Sequence, residues 1–210
     1  MTRLRRLLRD CSGASAAEFT LVLPLLLLVL FGTIDVGRYG WSISQAEKAT
    51  QTGARWAVAT DMIASGTYNY SFATQGGIPQ GTTVNATQFP GVVCTSTSTT
   101  ATCSCVTGGS CASALLTVDS NANAAFGRLV TRMAQIYPGL TRQNVTVTYA
   151  WSGLGFAGDP NGPDVAPLTT VSLRNLQYTP FSAFIFGGPI NLPSFAYTLP
   201  MEDGSGTASN

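Results

Sequence analysis

The sequence predicts an α+β protein. A long N-terminal helix, with a transmembrane first half and an amphipathic second half, is expected to pack on a small antiparallel-sheet head with one further helix. Three observations predict this. An apolar run follows a basic N-terminus within the first 36 residues. Small and apolar residues then recur at three- and four-residue steps towards Met62. The last third alternates apolar and polar residues with the two-residue period of strands.

The first thirteen residues set Arg3, Arg5, Arg6 and Arg9 against Asp10, a net charge of +3. The sixteen residues from Phe19 to Ile34 carry no charge. A membrane span needs about 20 apolar residues. Adding Ala14 to Ala17 and accepting Glu18 reaches that length. The basic flank leaves the N-terminus cytoplasmic and translocates the rest.

Three readings of this stretch compete. A secretory signal places a small-residue cleavage site after the apolar run, where this chain has Gly32, Thr33, Ile34 and Asp35. An uncleaved signal anchor needs only the run and its flank. A prepilin-type leader places the small cleavage residue before the run. That order is present: basic leader, Gly13, four small residues, Glu18, Phe19.

Glu18 separates the last two readings. A carboxylate deep in a membrane segment costs about 2.5–3.5 kcal/mol on insertion scales and is functional by default. Cleavage after Gly13 would make Glu18 the fifth residue and create an α-amine at Ala14, about one helical turn away. In a filament, that amine on one subunit can neutralise Glu18 of a neighbour. A plain anchor has no use for Glu18 beyond a place near the headgroups. Cys11 precedes the run, which is not the arrangement of a lipoprotein acceptor.

Beyond Asp35 the helical pattern continues. Trp41, Ile43, Ala46, Ala49, Gly53, Ala54, Ala57 and Val58 mark one weakly amphipathic side. Pro24 is expected to loosen the first half of the helix. Tyr39 and Trp41 suit either a membrane interface or a core.

Residues 65–110 are rich in Gly, Thr, Ser, Asn and Gln and read as loops with short strands, including Thr82–Ala86 and Gly91–Cys94. Cys94, Cys103, Cys105 and Cys111 fall here. Their spacing does not match the paired spacing of zinc sites. An even count in an exported, loop-rich stretch favours two disulfides. A bond between Cys103 and Cys105 would close a very small loop. Cys94 is therefore expected to join Cys103 or Cys105, with Cys111 taking the other.

Asp119 to Tyr137 reads as a core helix, with Asp119 or Ser120 as N-cap and Pro138-Gly139 as the stop. Asn144–Trp151, Thr169–Tyr178 and Ser194–Met201 read as strands. Phe181–Pro193 is a Pro- and Gly-interrupted link, too short to span; Phe184 and Phe186 within it could form a contact patch. Asp159, Asn161 and Asp164 resemble a calcium loop only loosely. The expected organisation is a leader over 1–13, a transmembrane helix over 14–36, its continuation over 37–62, an exported head over 63–202 and a disordered tail over 203–210.

Composition narrows the function classes. There is no histidine, which removes Ser-His and Cys-His nucleophilic systems and the commonest metal ligand. With no nucleophile motif or convergent carboxylate pair, neither an enzyme nor a cofactor is expected. Net charge is +1 overall, but the leader holds the positive excess. The exported part therefore offers no basic field for nucleic acid.

Gly13-Ala14-Ser15-Ala16-Ala17-Glu18-Phe19, then Leu23-Pro24 and Gly32, Asp35, Gly37 and Arg38, closely resemble the TadE-like proteins. These are minor pilins or pseudopilins of the tight-adherence (Flp, type IV-like) pilus system. The resemblance is dense over about residues 9–58. Further on, a strand ending near Tyr178-Thr179-Pro180-Phe181, an apolar link and a final strand closing on Met201-Glu202 are similar in order. The resemblance implies cleavage between Gly13 and Ala14 by a prepilin peptidase, with Glu18 and Phe19 serving recognition and assembly. It implies other pilin and Tad assembly subunits as partners. It also implies a single-pass place in the bacterial inner membrane, a periplasmic head, and a position in or at the base of an adhesive extracellular pilus. The competing reading is an uncleaved, membrane-anchored periplasmic binding or secretion-scaffold component.

Overall fold

The computed structural model describes residues 14–183 and 187–207. The expected leader, Gly13 included, lies outside the described residues, as do Phe184 and Phe186. Ala14–Val58 forms one helix, α1, that continues through Pro24. The chain divides into two units. The first comprises residues up to Trp41 with 177–190; the second comprises 42–176 with 191–210.

The second unit is α+β. Strands β1 (Val92–Ser96), β2 (Ala101–Cys105), β3 (Val145–Ala150), β4 (Leu168–Leu173) and β7 (Phe195–Pro200) form an antiparallel sheet in the order β2-β1-β3-β4-β7. Two further short strands, β5 (Gln177–Tyr178) and β6 (Ile190–Asn191), pair separately. Val145, Val147, Tyr149, Val171 and Leu173 are buried, as the alternation along β3 and β4 requires. Ala46, Ala49, Ala54, Ala57 and Val58 of α1 are buried as well. So are Ala122, Phe126, Leu129 and Met133 of helix α3 (Ser120–Ala134), whose N-cap Asp119 accepts a hydrogen bond from the Ala122 amide at 2.8 Å. Tyr149 is fully buried, and its hydroxyl accepts a 3.0 Å bond from the Ile63 amide.

Several boundaries differ from the sequence reading. α1 ends at Val58 rather than Met62. Ser65–Asn69, read as loop, forms a short helix, α2. Gly66 lets it approach its neighbour, because a Cβ there would strike the Ala114 carbonyl oxygen and Thr117. Gly66→Ala is expected to destabilise the fold by about 1–3 kcal/mol, measurable by urea unfolding in detergent.

The strand expected over Gly91–Cys94 is present as β1, and the Thr- and Ser-rich stretch after it supplies β2, which completes a hairpin. Its β-branched residues suit strands, and Thr97 and Thr100 close the turn through a 2.9 Å backbone bond and a 3.1 Å side-chain bond. Residues 82–86 contribute only an isolated bridge from Thr83 to Phe156. The strand expected over 169–178 breaks after Leu173, where Asn175 takes φ 56°, a left-handed conformation that asparagine tolerates. Tyr178 then joins the separate β5–β6 pair.

The expected disordered tail is also corrected over 203–207. Met62 donates to the Gly204 carbonyl (3.1 Å) and Asp61 to the Gly206 carbonyl (2.9 Å), while the Gly206 amide donates to the Asp61 carboxylate (2.7 Å). Asp61 also pairs with Arg128 at 2.9 Å. A polar, glycine-rich sequence contributes little apolar surface. Its order here comes from backbone pairing, with Gly204 and Gly206 at positive φ.

Candidate functional site: the apolar helix and the Asp35 clasp

The first unit holds the sequence features singled out above. α1 is long and apolar enough to cross a membrane. Its large apolar side chains are not covered: Phe19 is 64%, Leu21 80% and Leu25 66% exposed, and Leu26, Val29, Leu30 and Ile34 are exposed as well. An apolar surface this continuous marks a contact with lipid or protein. Glu18 and Phe19 lie on this exposed helix. Ala14 belongs to the same helix.

Directly after the apolar run stands Asp35, only 7% exposed. A buried carboxylate must be hydrogen-bonded to be tolerated, and residues 178–182 supply the donors. The Phe181 amide (2.7 Å) and the Tyr178 hydroxyl (3.2 Å) donate to Oδ1. The Ser182 amide (2.8 Å) and the Ser182 hydroxyl (2.6 Å) donate to Oδ2. Bonds to an ionised acceptor are about twice as strong as neutral ones, so this is a clasp and not a casual contact. Burial raises the Tyr178 phenol above its ordinary range, and the charge and hydrogen bond of Asp35 raise it further. The hydroxyl therefore stays protonated and donates.

Rings complete the clasp. Tyr39 meets Tyr178 edge-on, with centroids 5.7 Å apart. The Arg38 guanidinium lies 4.2 Å from the Phe181 ring centroid and 5.9 Å from that of Tyr178. The sequence had marked Asp35, Arg38, Tyr178 and Phe181 as parts of a pattern but gave Asp35 no role and did not mention Ser182 as a partner. One signal was legible: a lone carboxylate at the mouth of an apolar run needs donors from elsewhere in the chain.

In the second unit, Cys94 bonds Cys103 and Cys105 bonds Cys111. This is one of the two pairings left open by the sequence. Cys94 and Cys103 face each other across β1 and β2. Asp164 is buried; its carboxylate accepts from the amides of Phe72 (2.6 Å) and Asp159 (3.1 Å), so it braces the 153–167 loop from within. Among the described residues no cluster of three or more histidine, cysteine or acidic side chains could hold a metal ion.

Residues 13–55 match the family model described as TadE-like protein. The matched stretch includes Gly13, Ala14, Glu18, Phe19, Asp35 and Arg38, and stops short of the cysteines and of residues 178–182. No curated protein and no solved structure matches the chain.

Proposed function

We propose that the chain is a minor pilin or pseudopilin of a Tad pilus system, processed between Gly13 and Ala14 by a prepilin peptidase; the match of residues 13–55 to the TadE-like family model supports this reading. The mature protein is held in the inner membrane by the first half of α1, with the remainder periplasmic. There it takes part in assembling a pilus used in surface adhesion, together with other pilin and Tad subunits. The observation that carries this reading is the exposed apolar helix that bears Glu18 and Phe19. Such a helix is stable only when lipid or neighbouring helices cover it. Two disulfides support export, since they persist in oxidising compartments.

Glu18 has the assembly role. The amine freed at Ala14 on one subunit and the Glu18 carboxylate on the next neutralise each other in a medium where either charge alone is costly. Glu18→Ala is expected to leave the protein in the membrane but impair processing or abolish its incorporation into the assembly. Immunoblots of membrane and sheared-pilus fractions test this. Unchanged processing together with unchanged assembly would contradict the role.

A further inference from the structure

Asp35 fixes the depth of a second, sequence-distant segment. At 1.5 Å per residue, Ala14 to Ile34 covers about 30 Å, the thickness of the hydrocarbon core. Asp35 then stands at the boundary, and Trp41 about 9 Å beyond it, within or just outside the headgroup layer. Phe181 and Ser182 are bonded through their amides to the Asp35 carboxylate at 2.7 and 2.8 Å. They share its depth. Ile190 belongs to β6, the partner strand of β5, which carries Tyr178; it lies about one strand spacing away.

What this arrangement presents suits one environment. Val36 is 74%, Trp41 66%, Phe181 57% and Ile190 48% exposed. Arg38 lies over the Phe181 ring. Aromatic rings with a cation beside them are the composition of a membrane–water interface, and long basic side chains near the end of a spanning helix reach to the interface. The carboxylate at the same level is sequestered: Asp35 is buried and occupied by four donors. It therefore presents little negative charge to phosphates.

We propose that Tyr178–Ala183 and Ile190 form an interfacial collar, docked by the Asp35 clasp onto the end of the spanning helix, with Phe181 and Ile190 inserted among phospholipid headgroups beside Arg38 and Trp41. The occupant is the bilayer surface itself, and the argument is continuity: the exposed apolar surface of α1 runs from Phe19 to Val36 and leads directly to the collar. The collar rests on the reading of α1 as a membrane span.

The test uses the full chain in vesicles of phosphatidylethanolamine and phosphatidylglycerol. A photoreactive benzoylphenylalanine replaces Leu26, Phe181 or Ile190 in turn. Phospholipid adducts are expected at all three positions. Asp35→Asn is expected to lower the Phe181 adduct about tenfold relative to Leu26, because an amide offers its NH2 where a charged oxygen accepted two bonds. Tyr178→Phe, which keeps the ring and removes one donor, gives a smaller fall in the same direction. Adducts at Leu26 with none at Phe181 or Ile190 would overturn the collar and leave the span standing. No adduct at any of the three would overturn the span and the collar with it. Crosslinks from Phe181 to a second copy of the chain instead of lipid would overturn the membrane as occupant. An undiminished Phe181 adduct in both variants would overturn the role of the clasp.

Discussion

Asp35→Ala is expected to release residues 178–182 while the five-stranded sheet stays folded. Amide hydrogen exchange at Phe181 and Ser182 should quicken about 100-fold, as it does when a locally closed segment opens independently of the global fold. Exchange at Val147, in the centre of the sheet, should not change. The asymmetry follows from what alanine removes. Two backbone amides and the Ser182 hydroxyl lose their acceptor together, while the Tyr178 hydroxyl keeps only the Asp35 carbonyl, and an unsatisfied donor costs more than a hydrogen bond contributes. Water can rescue these donors only if the segment swings away, so opening is favoured over staying closed. Arg38 would lose its place over the Phe181 ring. Unchanged protection of the Phe181 amide would mean that ring packing, not the carboxylate, holds the segment.

The second large effect belongs to the disulfides. Replacing Cys94 and Cys103 together by alanine is expected to lower the free energy of unfolding by about 2–4 kcal/mol, read from the urea midpoint of the detergent-solubilised protein. Cys94 is 0% exposed in the middle of β1 and lies opposite Cys103. Its loss removes a crosslink and leaves a void beside Val92 and Val147, whose cost adds to that of the crosslink. The Cys105–Cys111 bond ties a turn in which no residue is buried, so its removal is expected to cost less. Equal losses from the two pairs would show that the buried position of Cys94 contributes nothing.

These two sites also show what the sequence could and could not reveal. The long apolar helix was legible because its length and apolar character are specified by composition over consecutive residues. The strands at 145–150 and 195–200 were legible because alternation is local, and the α3 cap because Asp119 precedes its helix directly. Of the hairpin, β1 was legible at Gly91–Cys94, whereas β2 was missed because its Thr- and Ser-rich strand carries a weak apolar signal. The docked tail was missed because glycine and serine contribute backbone bonds that no side-chain pattern announces. The clasp was missed for a third reason. Asp35 and Ser182 are 147 positions apart, and nothing near either residue names the other. Only the principle that a buried carboxylate needs donors pointed in that direction.

The central claim is that this chain enters the membrane as a precursor and is cut between Gly13 and Ala14. N-terminal sequencing of the protein purified from membranes, with and without the prepilin peptidase, tests it most directly. The account predicts a start at Ala14 that disappears when the peptidase is absent. A start at Met1 or Thr2 in the presence of the peptidase would contradict it. It would leave an uncleaved anchor, with no amine at Ala14 for Glu18 to meet.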